Sequence, residues 1–135
     1  MNAYATDAHA LVWHLAVPQR LAAGARAAFA EADDGASTIH VPAMALAECL
    51  MVAEKQCIPG FSIASFLRIV ERVRFASNYR LGTLSPEIIL GSAQLLAIPE
   101  VFDRLIVAEA LALGVPLITK DQSIRDSGII PTVWE

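Results

Sequence analysis

Residues 4–13 of the chain read YATDAHALVW. They predict a short strand over residues 3–6 and a helix over residues 9–16, with Asp7 placed directly after the strand. The same order of strand, acid and helix recurs at residues 117–121, which read LITKD. Strands that alternate with helices in this way imply a parallel sheet with helices on both of its faces.

The rest of the chain continues this alternation, because Pro, Gly and Asp-rich breakers recur at fairly regular intervals. We predict five strands, at residues 3–6, 38–41, 79–83, 116–119 and 132–134. We predict seven helices, at residues 9–16, 22–31, 43–55, 63–74, 86–95, 102–113 and 121–127. Helix 102–113 is apolar nearly all round, so we expect it to be buried on all sides and to end at Gly114.

Composition limits the possible classes of protein. The chain has 135 residues, which suit one domain over residues 1–135. Hydrophobic residues make up 56% and charged residues 18%, which excludes a disordered chain. No apolar run reaches the roughly 18 residues of a membrane helix. The first residues lack the basic start of a secretory signal, so we expect a cytoplasmic protein without a membrane partner.

Cysteine content and net charge further limit the possible classes of protein. Cys49 and Cys57 are too few for a disulfide scaffold, and we expect both to be small buried residues. The net charge of −4 argues against binding nucleic acid through backbone charge alone. It is compatible with an enzyme whose carboxylates are concentrated at a metal site.

Four acids are expected at one edge of the sheet. Asp7 and Asp121 directly follow strands, and ligands of open parallel sheets bind beyond the carboxyl ends of the strands. Asp103 lies in the first turn of a helix that precedes a strand, and Glu48 lies in the second turn of a helix that follows one, so both belong to the same edge. Other acids come late in their helices and are expected at the opposite end or on outer faces: Glu54, Glu71 and Glu109.

Four clustered carboxylates would repel one another unless a cation offsets their charge. Oxygen ligands without a His or Cys cluster suit Mg²⁺ or Mn²⁺ rather than zinc, and two such ions could support phosphodiester hydrolysis. Each acid also has a plain structural explanation. Asp7 and Asp121 could be helix N-caps, and Asp103 could complement a helix dipole.

Four motifs, in order along the chain, resemble those of the PIN-domain family, in particular the VapC-type toxins of bacterial toxin–antitoxin pairs. They are YATDAHALVW at residues 4–13, MALAE at residues 44–48, FDRLIVA at residues 102–108 and LITKD at residues 117–121. The resemblance covers essentially the whole chain. Ala8 and Glu100-Val101 depart from the family pattern, which commonly has Thr and Asp-Pro at these places.

The resemblance implies a three-layer α/β/α sandwich with a five-stranded parallel sheet. It also implies a ribonuclease, dependent on Mg²⁺ or Mn²⁺, that forms a homodimer and is blocked by a cognate VapB-type antitoxin. Carried over to this chain, Asp7, Glu48 and Asp103 are the catalytic metal ligands, and Asp121 is a fourth, more variable acid.

Three further residues are candidates for contact with the RNA substrate. Arg104 and Lys120 could hold RNA phosphates, and Thr119 could position a carboxylate or a water near Asp121. Residues 57–73 have more apolar side chains than one core-facing helix side needs, so this segment could cover a partner's helix.

Two other functions were weighed against the nuclease. A PIN-like binding module that has lost catalysis would usually have lost one of the four acids, and all are present. A phosphoryl-transfer domain of receiver type would need paired acids after the first strand and an Asp after a middle strand. Asp7 is alone, and Leu84-Ser85 follow the third strand.

Overall fold

The sheet is the frame that positions every other element. The computed structural model describes residues 2–135 and has five parallel strands in the order β3-β2-β1-β4-β5. The strands are β1 Asn2–Thr6, β2 Ser37–Val41, β3 Tyr79–Leu81, β4 Leu117–Ile118 and β5 Thr132–Val133. The predicted five-stranded parallel sheet is confirmed, although β3, β4 and β5 are shorter than predicted.

Seven helices connect the strands, with a short 3₁₀ turn at Pro18–Arg20 that was not predicted. The helices are α1 Ala8–Ala16, α2 Ala23–Asp33, α3 Ala43–Lys55, α4 Ile63–Phe75, α5 Pro86–Ser92, α6 Val101–Leu113 and α7 Gln122–Ser127. Side chains cap the start of five helices, as polar residues at N-caps generally do: Asp7, Ser62, Ser85, Glu100 and Asp121.

Two apolar clusters lie on opposite faces of the sheet. Ala5 and Leu117 pack in one cluster with α6 and α7, whereas Ile39, Val41 and Ile118 pack in the other with α1, α2 and α4. Neighbouring residues of β4 thus face opposite sides, as the pleat of a strand requires. The three-layer α/β/α arrangement is therefore confirmed.

The chain changes direction across the sheet between β3 and β4. After β3, at one edge, it passes through α5 and α6 and returns as β4 on the other side of β1. The backbone N–H of Asp7 donates to the carbonyl of Ile118 at 3.1 Å, so the ends of β1 and β4 lie side by side. Such a reversal of strand order opens a crevice at the carboxyl edge, where ligands of this fold class bind.

Helix α6 is buried on one side only, so the expectation of burial all round is wrong. Ile106, Val107 and Ala110 are buried, whereas Phe102 and Leu111 are exposed. The helix belongs to an outer layer, and only the side that faces the sheet is covered. It ends at Gly114 in the left-handed conformation, with φ of 69°, as predicted.

Two other expectations are corrected by the structure. Glu109 is buried rather than directed outward, because it lies three residues after Ile106 and shares the inward side of α6. Cys57 is exposed because it follows the end of α3 in a turn, whereas Cys49 is buried as expected. No helix within residues 2–135 is long and apolar enough to span a membrane.

Candidate metal centre

The four predicted acids meet in one open cleft of about 820 Å³ at the carboxyl edge of the sheet. The ends of β1 and β4 bring Asp7 and Asp121 to it. The second turn of α3 brings Glu48, and the first turn of α6 brings Asp103. A fifth acid, Glu100, also lines the cleft. The structure therefore gathers all four predicted acids from four separate segments.

Each oxygen of the Asp7 carboxylate accepts one hydrogen bond from the protein. Its Oδ1 accepts from the N–H of Ala10 at 2.9 Å, and its Oδ2 accepts from the hydroxyl of Thr119 at 2.5 Å. Thr119 is buried, and its oxygen also accepts from the N–H of Asp121 at 3.0 Å. Burial raises the pKa of Asp7, while the bonds from Thr119 and Ala10 lower it. Thr119 therefore fixes the orientation of this carboxylate.

Asp121 both caps helix α7 and lines the cleft. Its Oδ1 accepts from the N–H of Ile124 at 3.0 Å and from the hydroxyl of Ser123 at 2.5 Å, which caps α7. The same side chain lines the cleft. An N-cap occupies one oxygen of a carboxylate and leaves the second for another ligand. Capping and metal binding are thus compatible at this residue.

The α3 and α6 side of the cleft is arranged differently. One carboxylate oxygen from each of Glu48, Glu100 and Asp103 lies within 4.8 Å of the other two. Glu100 Oε2 accepts from the N–H of Asp103 at 3.0 Å and so caps α6. The Oε1 of Glu48 is buried, and no residue of the described chain hydrogen bonds to it. No ion pair within residues 2–135 involves these three acids.

The electrostatics of this side favour a bound cation. Burial, reinforced by the charges of Asp103 and Glu100, raises the pKa of Glu48 to about 7. Burial and the charge of Asp121 raise the pKa of Asp103 to about 6. An orphaned carboxylate oxygen beside two other carboxylates lacks a positive partner, and a donor set made only of oxygens suits a hard divalent ion. The residues present therefore fit such an ion.

The basic candidates are placed differently from one another. Lys120 is exposed and lines the cleft, with its Nζ 5.4 Å from the ring centre of Trp13. Arg104 does not line the cleft, because it donates to the carbonyls of Ile98 at 2.6 Å and Pro99 at 3.0 Å. One residue along a helix turns a side chain by about 100°, so the neighbour of Asp103 faces elsewhere.

Glu100 is the site residue that the sequence reasoning missed. It was noted only as a departure from the family pattern. Only a weak signal was available, because Glu100 is a polar residue directly before an apolar helix and three residues before Asp103, but Glu is not one of the residues preferred at N-caps. A cap at that position lies beside the first turn, and therefore beside Asp103.

Comparison with known proteins identifies the family of this chain. Residues 4–129 match the PIN domain family. The chain is 31% identical over 131 residues to Ribonuclease VapC22 of Mycobacterium tuberculosis, covering 93% of this chain and 92% of that protein.

Solved structures share the fold at low sequence identity. The VapBC2 complex of Rickettsia felis, bound to a DNA fragment from its promoter, superposes with a TM-score of 0.70 at 15% identity, covering 98% of this chain and 99% of the other. The sarcin–ricin loop cleaving toxin VapC20 of Mycobacterium tuberculosis superposes with a TM-score of 0.67 at 11% identity, covering 93% and 95%. With its fold, its acids and these relatives taken together, the chain belongs to the PIN-domain family.

Proposed function

We propose that the protein is a metal-dependent endoribonuclease of the VapC type, the toxin of a toxin–antitoxin pair, which hydrolyses phosphodiester bonds of RNA. The observation that carries the proposal is the cluster of Glu48, Glu100 and Asp103, in which a buried oxygen of Glu48 lacks any partner in the described chain. Membership in the PIN-domain family and the identity to a ribonuclease support the choice of RNA as substrate.

The residues that were predicted for the site and that line it or support it then have distinct roles. Asp7, Glu48, Asp103 and Asp121 hold Mg²⁺ or Mn²⁺. A bound ion of this kind activates water and neutralises charge on the phosphate. Thr119 holds Asp7 in one orientation, and Lys120 binds an RNA phosphate at the exposed side of the cleft.

The substitution Asp103→Asn tests the proposal. The amide keeps nearly the same shape but loses the charge that holds the ion, so we expect cleavage to fall by roughly 10³-fold or more. A cleavage assay on total RNA in manganese is paired with a melting curve. A purely structural role for Asp103 predicts a stability change of about 1 kcal/mol and no specific loss of activity.

The matched control is Asp126→Asn, an exposed acid on α7 that is outside the cleft and hydrogen bonds Gln122 at 2.7 Å. It should cleave like the wild type. Unchanged cleavage by folded Asp103→Asn protein would refute the nuclease assignment and would favour a PIN-like binding module without catalysis.

The proposal includes a homodimer and a VapB-type antitoxin. Within residues 57–73, Ile63 and Leu67 are exposed on α4. Phe75, the last residue of α4 and two residues beyond this segment, is 78% exposed. Apolar surface of this kind is typical of an interaction site. We propose that an antitoxin segment covers it and directs a basic side chain to the acids of the cleft. A chain that is monomeric and harmless to its host when expressed alone would contradict this arrangement.

A further inference from the structure

Glu109 is a buried acid that lies outside the acidic cluster. It is in the middle of α6 and only 2% exposed. Its Oε1 accepts a hydrogen bond from the backbone N–H of Ala43, the first residue of α3, at 2.9 Å. It forms no ion pair within the described residues 2–135. Burying a carboxylate costs free energy unless a positive group or a hydrogen-bond donor compensates for it. Because Glu109 has no ion pair in the described chain, another positive partner is needed.

The start of α3 supplies the positive partner. This helix follows Pro42, whose side chain makes no capping hydrogen bond. The first N–H groups of a helix lack partners within the helix and carry partial positive charge. Burial raises the pKa of Glu109, and hydrogen bonds from the N–H groups of Ala43 and Met44 lower it. Glu109 therefore caps α3 from a different helix.

The surrounding backbone leaves room for this carboxylate. Gly82 follows β3, and a Cβ at this position would collide with the Oε2 of Glu109. The N–H of Gly82 donates to the carbonyl of Val41 at 2.8 Å, which holds the turn against the end of β2. The carboxylate thus lies in a fitted place between the ends of two strands and the start of α3.

The contact joins the two helices that carry the unpaired acids of the cleft. Glu48 lies in α3, five residues after Ala43, and Asp103 lies in α6, six residues before Glu109. One oxygen of Glu48 lies within 4.8 Å of one oxygen of Asp103. We propose that Glu109 is a positioning residue, which fixes the separation of Glu48 and Asp103 by capping α3 from α6.

This inference rests on the proposed metal centre, so its test has one readout with metal and one without. Calorimetry measures the Kd for Mn²⁺. Pulsed electron paramagnetic resonance measures, in metal-free protein, the distance between spin labels at positions 54 and 112, which are exposed on α3 and α6. Every spin-labelled protein, wild type or variant, carries Cys57→Ser to remove the exposed native thiol.

The informative variant is Glu109→Met, which keeps the volume but cannot accept the bond from Ala43. We expect Mn²⁺ to bind 10- to 100-fold more weakly, as is typical when a group that orients a ligand is lost, and the distance distribution to broaden. Glu109→Gln keeps an oxygen acceptor and should stay close to the wild type in both readouts. Ser85→Ala removes the cap of α5, where the Ser85 hydroxyl accepts from Ile88 at 3.3 Å, and should change neither.

Two results would overturn the inference: wild-type binding and distances in Glu109→Met, or an equal loss of affinity in Ser85→Ala. If Glu109→Met does not fold, Ala43→Pro tests the same contact by removing the N–H that Glu109 accepts, at the first helical position where proline is tolerated, and it should broaden the same distribution. A wild-type protein that does not bind Mn²⁺ would refute the metal centre instead, while the metal-free distances would still decide the role of Glu109.

Discussion

The two sides of the acidic cleft hold their carboxylates in different ways. On the side of β1 and β4, Asp7 and Asp121 accept hydrogen bonds from backbone N–H groups and from the hydroxyls of Thr119 and Ser123. On the side of α3 and α6, Glu48 has a buried oxygen without a partner in the described chain. Burial raises the pKa of Asp7, but hydrogen bonds from Thr119 and Ala10 oppose that rise, whereas neighbouring charges reinforce the rise to about 7 at Glu48 and about 6 at Asp103.

One side of the cleft is organised by the protein itself, and the other lacks a positive partner that a bound cation could supply. Donors of the protein hold the carboxylates of Asp7 and Asp121 in fixed orientations without a ligand. Repulsion and burial disfavour the ionised form of Glu48 and Asp103, so this side gains most from an added cation. Substitutions and pH should therefore affect the two sides differently.

The largest effect is expected from Glu48→Gln. At a Mn²⁺ concentration of about 100 times its Kd, a bound ion stabilises the wild type by about 2.7 kcal/mol, and the variant should lose most of this gain. In EDTA at pH 8 the variant should be more stable than the wild type, because it removes a charge that burial disfavours. Urea unfolding with and without Mn²⁺ measures both changes. If Glu48→Gln were less stable than the wild type in EDTA and were still stabilised by Mn²⁺, Glu48 would not be the unpaired charge that the ion neutralises.

A smaller effect is expected from pH in the metal-free protein. The folded-state pKa values of Glu48 and Asp103 are raised above their ordinary values of 4.5 and 3.8. Between about pH 4 and pH 7 the folded protein therefore binds more protons than the unfolded chain, and stability falls as pH rises. Because both side chains are only half-buried, we expect a combined loss of about 2 kcal/mol.

Melting curves in EDTA from pH 4.5 to pH 8 check this slope. The double variant Glu48→Gln with Asp103→Asn should make the slope shallower, since neither amide titrates, while Asp7 and Glu109, whose pKa values burial also raises, still contribute to it. A stability that rises steadily with pH over this range would show that the two acids are not destabilised by ionisation.

The smallest effect is expected from Thr119→Val, on the preorganised side. The valine keeps the shape but loses the donor to Asp7 and the acceptor for the N–H of Asp121. We expect a loss of about 1 kcal/mol in stability, measured in urea at pH 8 in EDTA. Thr119→Ser keeps both bonds and serves as the control. A gain in stability from the valine would contradict the preorganised character of this side.

The sequence was sufficient for the parts of the fold that depend on local order. Alternating strands and helices indicate a parallel sheet, and an acid directly after a strand must lie at the carboxyl edge of that sheet. For this reason the sequence alone places Asp7 and Asp121 at that edge. The positions of Glu48 and Asp103 followed from the same rule, since each lies near the helix end at that edge.

The remaining features depend on how the helices pack, which the order of residues along the chain does not specify. Packing sets which side of α6 faces the sheet. As a result Glu109 is buried, Arg104 is turned away from the cleft and Phe102 is exposed. The order of strands and helices is enough to bring Asp7, Glu48, Asp103 and Asp121 to the common edge, whereas the place of Glu100 beside them emerged only from the folded structure. The N-cap donors of Asp7 and Asp121 are local, since they lie two or three residues further along the chain. Packing of the layers adds the Thr119 hydroxyl to Asp7 and leaves the buried Oε1 of Glu48 without a donor in the described chain, because these groups come from segments that are far apart in the sequence.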